Sequence, residues 1–198
     1  MYLDKVTVIL RGYTYEQIRV VAKTLINSSI RSIEISLNTI DAFNIIEKLS
    51  YEFSSELFIG AGTILNLDNL KKAEKAGAKF VLSPCMMSRE VIKYCNDKGI
   101  IAIPGAFTPT EIKECFHRGA DIVKVFPANE FNIGYGAKVK EPLGKYKLMA
   151  VGGINASNYK LYLQSGYDFV ASAGGIFRSE DIVNCNEDQL LLSIKNFE

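Results

Sequence analysis

Short apolar segments rich in β-branched residues recur along the whole chain, and this recurrence restricts the fold more than any other feature of the sequence. The eight segments cover residues 6–11, 32–37, 57–63, 80–84, 100–104, 122–127, 147–152 and 169–174. Their first residues lie roughly 20–26 residues apart, which is the length of one strand followed by one crossover helix. The spacing therefore predicts repeated β-strand–α-helix units.

Amphipathic stretches, which are typical of helices, lie between these segments. They cover residues 15–26, 40–53, 68–76, 110–118 and 158–164, and Gly166 places a helix-stop signal after the last of them. Eight near-equal units in 198 residues predict an α/β fold, a single-domain (β/α)8 TIM barrel that spans residues 1–198. A doubly wound sheet has the same local pattern, but no glycine-rich turn follows the first strand, and we therefore favour the barrel.

Composition and charge argue against several classes of protein. The net charge is +1, which gives no electrostatic reason to expect a nucleic acid or an anionic membrane as a partner. No apolar run approaches the roughly 18–20 residues that cross a bilayer, and the N-terminus, which leads directly into a strand, does not resemble a signal peptide. The four cysteines lack the spacing of a zinc site, and we expect the single histidine, His117, on a helix surface. These features predict a cytoplasmic protein with reduced thiols and without a multi-histidine metal site or a histidine triad.

The sixth segment carries a lysine in an otherwise apolar strand. Side chains alternate along a strand, so Lys124 shares one face with Ile122 and Phe126, whereas Val123 and Val125 share the other. Because both faces are otherwise apolar, the amine is buried, which is costly unless the group is paired or loses its proton. A buried amine suits Schiff-base formation with a carbonyl compound, although the pattern also fits a lysine that extends to the barrel rim or pairs with a carboxylate.

The second strand carries a carboxylate between apolar neighbours. Ile33 and Ile35 lie on one face, which we expect to meet the helices, and this points Glu34 into the barrel. Active sites of such barrels lie at the carboxyl ends of the strands. Glu34 and Lys124 are therefore expected to share one cavity with three residues that end other strands, namely Arg11, Thr63 and Pro84. A structural ion pair between Glu34 and Lys124 would explain two of these residues but not the other three.

Glycine pairs end the seventh and eighth strands, and these are Gly152-Gly153 and Gly174-Gly175. Glycine lets backbone N–H groups approach an anion closely, and the start of a following helix adds a favourable dipole. The loops after these two strands are the usual phosphate site of a TIM barrel. The two pairs therefore predict a phosphate bound by backbone N–H groups.

Together these residues describe a site for a phosphorylated keto acid. Lys124 would attack a ketone, Glu34 would move protons, Arg11 would pair with a substrate carboxylate, and the glycines would hold the phosphate. An iminium on the lysine is an electron sink, which stabilises the negative charge that forms when the neighbouring carbon–carbon bond breaks. The matching product is pyruvate, with a phosphorylated aldehyde as the leaving group.

Segments from the first strand to the last resemble the KDPG/KHG aldolase family, and they cover residues 10–12, 33–38, 59–63, 83–84, 103–111, 123–128 and 150–154. Members of this family are class I aldolases that act on 2-keto-3-deoxy-6-phosphogluconate (KDPG) and 4-hydroxy-2-oxoglutarate (KHG). The resemblance implies cleavage of KDPG, or of its galactonate epimer, to pyruvate and glyceraldehyde 3-phosphate. It also implies a homotrimer that needs no metal or other cofactor.

The resemblance assigns a role to each candidate residue. Lys124 would form the Schiff base, and Glu34 would be the general acid/base, acting through a water molecule. The pyruvyl end of the substrate would be lined by Arg11, Thr63 and Pro84. The phosphate would be bound by Gly152, Gly153 and the loop of the eighth strand, which contains Gly174 and Gly175.

Three parts of the sequence depart from the family pattern, and all three concern substrate choice. Asn38 stands where many gluconate-type members carry an arginine. The leucine–asparagine pair that this chain has instead also looks like the 6-phosphogalactonate aldolase branch. Gly174 stands where many members carry a serine. Residues 132–137 differ from the usual segment, with an added Gly136 and with Ala137 in place of a lysine.

Two other functions fit parts of the same pattern. Another phosphate-binding TIM barrel, such as a sugar-phosphate epimerase or a thiamine-phosphate-type synthase, would share the glycine pairs but would not need a nucleophilic lysine in the middle of a strand. A non-catalytic barrel that only binds a keto acid would share the pocket, although Lys124 and Glu34 are both intact.

Overall fold

The computed structural model describes residues 3–197, in which nine strands form one parallel sheet. The strands are β1 (Val6–Leu10), β2 (Ser32–Ser36), β3 (Phe58–Gly62), β4 (Phe80–Leu82), β5 (Ile101–Ile103), β6 (Gly105–Ala106), β7 (Val123–Val125), β8 (Leu148–Val151) and β9 (Phe169–Ser172). Each of the eight predicted segments contains at least one of them. The predicted α/β barrel is therefore confirmed.

The helices lie between the strands and after the last one. They are α1 (Tyr15–Ile26), α2 (Ala42–Phe53), α3 (Leu67–Lys75), α4 (Arg89–Lys98), α5 (Pro109–His117), α6 (Tyr135–Leu143), α7 (Tyr159–Gln164), α8 (Ser179–Val183) and α9 (Glu187–Lys195), with a 3-10 turn at Ala128–Glu130. All five predicted helices are present, and their ends agree within two residues. Across residues 3–197, each helix is too short or too polar to cross a membrane.

The barrel closes around Pro104, the last residue of the predicted fifth strand. The hydrogen-bonded order is β5-β4-β3-β2-β1-β9-β8-β7-β6, so its two ends are β5 and β6, which flank this proline. Proline has no N–H to donate to a neighbouring strand. Its carbonyl still accepts a hydrogen bond from Lys124 N at 2.9 Å. Pro104 therefore separates the predicted strand, observed as β5 and paired with β4, from an additional short strand, β6, which pairs with β7 and was not predicted.

Two apolar layers hold the barrel together. The layer between strands and helices contains Ile33 and Ile35 of β2 and Val123 and Val125 of β7. A second cluster packs inside the barrel, where it includes Ile9, Phe58, Phe80, Leu82, Ile103, Met149 and Ala171. Because side chains alternate along each strand, the residues between the outward-facing ones point inward. Glu34 and Lys124 therefore face the barrel interior, above this apolar floor.

The start of helix α5 shows how local sequence fixes the end of one of the loops that follow the carboxyl ends of the strands. Thr108 accepts a hydrogen bond from Glu111 N, and the Glu111 carboxylate accepts from the N–H groups of Phe107 and Thr108. This reciprocal capping fixes where the helix begins, and Pro109 at the first helical position needs no donor partner. These backbone N–H groups also hold the pKa of Glu111 below its ordinary value.

Candidate active site

A cavity of about 540 Å³ opens at the carboxyl ends of the strands. All nine residues that were predicted from the sequence line it, and these are Arg11, Glu34, Thr63, Pro84, Lys124, Gly152, Gly153, Gly174 and Gly175. They come from strands and loops that are distant in sequence. The structure thus brings the predicted residues together, and the role of each one stays a prediction.

Lys124 is almost entirely enclosed by its own barrel. Its relative exposure is 8%, and its Nζ lies 4.5 Å from the centroid of the Phe126 ring. Burial is the largest influence on the pKa of the amine and lowers it, because desolvation penalises the charged form. The negative charge of Glu34 raises this pKa, and the positive charge of Arg11 lowers it further. The environment therefore favours the neutral amine, which is the form that attacks a carbonyl.

Glu34 is the second buried ionisable group of the cavity. Its relative exposure is 3%, and its Oε2 atom has no hydrogen-bond partner among residues 3–197. Burial raises its pKa, while the positive charges of Lys124 and Arg11 act in the opposite direction. A carboxyl group whose pKa is raised above its ordinary value holds a proton more readily, which suits a group that takes up and returns a proton during turnover.

The two groups are not joined as a direct ion pair. Among residues 3–197, no ion pair connects Lys124 Nζ to a Glu34 oxygen, although each shifts the pKa of the other. A structural ion pair, the simplest explanation for two buried charges, therefore does not describe this site. Lys124 and Glu34 instead both line the same cavity.

The absence of a side chain at Gly62 makes room for the carboxylate. A Cβ atom built at this position would lie 1.5 Å from Glu34 Oε1 and 2.2 Å from its Cδ. Gly62 pairs with Ser36 in the sheet, two residues beyond the pair of Glu34 with Gly60. The sequence places this glycine near the end of a strand but does not indicate that it borders the carboxylate.

Thr63 continues the same loop in a rare backbone conformation. Its φ is +64°, which non-glycine residues seldom adopt and which recurs at functional sites. Its Oγ1 lies 3.0 Å from Ser36 Oγ, so the two hydroxyls form a hydrogen-bonded pair. Arg11 also lines the cavity; it has no carboxylate partner within the described part of the chain and is available to bind an anionic group of a substrate.

The glycine pairs line the part of the cavity formed by the loops after β8 and β9. Gly152 and Gly153 have φ values of +108° and +69°, and a Cβ on either would press against Asn129. In residues 3–197 no hydrogen bond uses the N–H of Gly152, Gly153 or Gly174, so these donors are free for an anion. The N–H of Gly175 is different, because it donates to Ser172 Oγ at 3.0 Å. That the four glycines bind phosphate stays a prediction, and the N–H of Gly175 already has a partner within the protein.

Three polar or aromatic residues of the cavity were not singled out from the sequence, namely Phe126, Asn155 and Ser172. Phe126 shares a strand face with Lys124, so simple alternation would have found it. The other two lie where separate loops meet, and no local pattern in the sequence indicates that contact.

The departures from the family pattern fall in different surroundings. Asn38 is exposed and is not among the residues that line the cavity. Gly174 has open space around it, with no atom within 4 Å of a Cβ built there. Gly136 lies in α6 against the Tyr167 ring, 2.9 Å from where its Cβ would be, so close packing accounts for the added glycine.

Comparison with known proteins gives a consistent result. The family described as Aldolase: KDPG and KHG aldolase matches residues 1–192. A probable 2-dehydro-3-deoxy-6-phosphogalactonate aldolase of Rhizobium meliloti is 33% identical over 159 residues, which cover 80% of this chain and 74% of the relative. A 2-dehydro-3-deoxy-phosphogluconate aldolase of Treponema pallidum is 31% identical over 155 residues, or 78% of this chain and 72% of the relative.

A solved structure agrees with these sequence relatives. The KDPG aldolase of Legionella pneumophila, with pyruvate captured as a covalent carbinolamine intermediate, superposes with a TM-score of 0.87 at 28% identity. The match covers 96% of this chain and 92% of the Legionella chain. The similarity therefore extends over the whole barrel.

Proposed function

The chain belongs to the KDPG and KHG aldolase family, and we propose that Lys124 and Glu34 carry out its class I aldol cleavage. The enzyme is a lyase that acts on phosphorylated keto acids and releases pyruvate. Its substrate is KDPG or the galactonate epimer, with KHG as a possible unphosphorylated substrate. The observation that carries the proposal is the burial of one amine and one carboxyl group in a single cavity that is also lined by Arg11 and by the glycines after β8 and β9.

Lys124 begins the reaction. Its neutral amine attacks the C2 ketone to give a carbinolamine, and loss of water leaves an iminium. Glu34, directly or through a water molecule, accepts the proton of the C4 hydroxyl. The C3–C4 bond then breaks, its electron pair moves toward the iminium nitrogen, and glyceraldehyde 3-phosphate leaves. Protonation of the resulting enamine at C3 and hydrolysis of the imine release pyruvate and restore the lysine.

The two ends of the cavity orient the substrate for this step. Arg11, Thr63 and Pro84 lie at the pyruvyl end, where the guanidinium group neutralises the substrate carboxylate. The free N–H groups of Gly152, Gly153 and Gly174 receive the phosphate. Holding both ends places the scissile bond beside the lysine and the carboxyl group.

Trapping of the imine tests the assignment of Lys124. Incubation with pyruvate and borohydride is expected to add one reduced pyruvyl group to the peptide that contains Lys124, and Lys124→Met is expected to abolish the adduct. An adduct on another lysine would contradict the assignment. Turnover is measured by coupling pyruvate release to lactate dehydrogenase, with both C4 epimers and KHG compared side by side. A chain that binds pyruvate but turns over none of them would be a keto-acid-binding barrel.

The assembly and location are part of the same proposal. We expect residues 1–198 to act as one domain in the cytoplasm and to form a homotrimer. Four exposed apolar side chains follow β2, β3, β4 and β6, namely Ile40, Leu65, Met86 and Phe107, and we infer from the strand order that they form an apolar rim. An apolar rim of this kind suits burial against another copy. Sedimentation should give three times the chain mass, and Leu65→Asp should lower it; an unchanged mass in that variant would remove the rim from the interface.

A further inference from the structure

Ser172 joins the two loops that form the proposed phosphate end of the cavity. It is the last residue of β9 and has a relative exposure of 4%. Its Oγ donates a hydrogen bond to Ile154 O at 2.6 Å, in the loop after β8, and accepts one from Gly175 N at 3.0 Å, in the loop after β9. Within the described residues, the contact with Ile154 is the one hydrogen bond that crosses between these loops.

The loops approach each other very closely at this point. A Cβ built on Gly175 would lie 1.9 Å from Ile154 O and 2.8 Å from Ser172 Oγ, so only glycine fits there. The loop after β8 is also braced within itself, because Asn158 donates to Gly153 O at 2.8 Å and accepts from Asn155 N at 2.9 Å. Ser172 therefore connects the loop after β9 to a loop after β8 that is braced by its own hydrogen bonds.

The hydrogen bonds of Ser172 decide what kind of role it can have. A serine hydroxyl has a single proton, and here that proton is donated to Ile154 O. It cannot also be donated to an anion without breaking the link between the loops. The free N–H groups, by contrast, are divided between the two loops, with Gly152 and Gly153 on one and Gly174 on the other.

We propose that Ser172 is a positioning residue that sets the distance between the two halves of the anion site and thereby favours phosphorylated substrates. The inference rests on the proposed function in that it takes the glycine loops as the phosphate site. Without the hydroxyl, the Ile154 carbonyl and the Gly175 N–H lose their partner, and the loops are free to separate. The donors of Gly152 and Gly153 then no longer converge with that of Gly174 on one phosphate.

Direct binding of glycerol 3-phosphate tests this inference, because that ligand carries the phosphate but no carbonyl group. In calorimetric titrations Ser172→Ala should raise its Kd about tenfold, which is within the range expected from loss of a buried hydrogen bond. Ser172→Thr, which keeps the hydroxyl, should recover most of the affinity. In steady-state kinetics, Ser172→Ala should lower the ratio of kcat/KM for the phosphorylated aldol to that for KHG about tenfold, mainly through KM.

Ser32→Ala is the matched control. Ser32 is also a buried strand serine whose hydroxyl bonds a backbone group, accepting from Asp4 N at 2.8 Å, but it lies at the opposite end of the barrel. It should leave the Kd of glycerol 3-phosphate unchanged. An unchanged Kd in Ser172→Ala, an equal loss in Ser172→Thr, or an equal loss in Ser32→Ala would each overturn the proposal.

The binding measurements also separate this inference from the proposed function. If the wild-type protein forms no pyruvate adduct on Lys124 but binds glycerol 3-phosphate in a Ser172-dependent way, the aldolase mechanism fails and the role of Ser172 stands. If the adduct forms normally and Ser172→Ala binds glycerol 3-phosphate as the wild type does, the role of Ser172 alone fails.

Discussion

Replacement of Gly62 by alanine should displace the proposed acid/base without unfolding the barrel. The new Cβ would lie 1.5 Å from Glu34 Oε1, whereas ordinary contacts of a Cβ atom begin at 3.4 Å. The carboxylate oxygen must therefore retreat by about 2 Å. Gly62 itself has no left-handed φ, so an alanine there meets no backbone strain, and the cavity offers the carboxylate space to move into.

The displacement leads to a large kinetic effect. A misplacement of about 1 Å in a catalytic geometry can cost on the order of 10²-fold, so a 2 Å shift should lower kcat by at least about 10²-fold. The amine of Lys124 does not depend on this oxygen to attack a ketone. Trapping of pyruvate by borohydride should therefore continue in Gly62→Ala, while release of pyruvate in the lactate dehydrogenase-coupled assay falls.

A neighbouring glycine supplies the control. A Cβ on Gly60 would meet the Phe80 ring of the barrel floor at 2.6 Å, not the carboxylate. Gly60→Ala should therefore destabilise the protein by about 1–3 kcal/mol through overpacking, with much less effect on kcat. A thermal melt and the coupled assay on both variants separate the two effects.

A double variant identifies the group through which the alanine acts. If Gly62→Ala acts by moving Glu34, adding it to Glu34→Gln should cause little further loss of kcat, because coupled changes are not additive. The reasoning would be refuted if the Gly62→Ala enzyme folded and kept a kcat within about threefold of wild type, since a loss of roughly 10²-fold is expected. Full additivity of the two losses would refute it as well.

The other predictions concern proton transfer, pH and phosphate. Glu34→Gln should cut kcat by on the order of 10²–10⁴ but preserve borohydride trapping; turnover within a few-fold of wild type would assign the proton transfer to another group. The trapping rate should rise with pH, since only the neutral amine reacts, with a midpoint below about 10.4 because burial lowers the pKa of Lys124. Glu34→Gln should move that midpoint lower still, because the carboxylate favours the ammonium form, and an upward move would contradict the pKa argument. Gly153 is unsuited to substitution, given its φ of +69° and its contact with Asn129, whereas Gly174 tolerates a side chain. Gly174→Ser should lower the KM of the phosphorylated aldol, and Gly174→Asp should raise it about tenfold or more but change KM for KHG much less; equal effects on both substrates would place the phosphate elsewhere.

Periodicity and burial costs allowed much of the protein to be predicted. The recurrence of apolar segments predicted the strands, because a crossover helix requires a nearly constant length of chain. Strand alternation placed Glu34 and Lys124 on the inner face, and the barrel architecture then placed them in one cavity with Arg11. All of these inferences depend on local sequence and on a general rule of the fold.

Contacts between distant loops could not be predicted in this way. The space that Gly62 leaves for Glu34 depends on the register of two strands, and the use of the Gly175 N–H by Ser172 depends on how closely two loops approach. The additional strand β6 after Pro104 likewise depends on which neighbouring strand it pairs with. Such features are decided by differences of a few tenths of an ångström in the distance between residues that are far apart in the chain, because hydrogen bonds and steric clashes are sensitive to changes of that size. Sequence periodicity, by contrast, reports only which face of an element is buried.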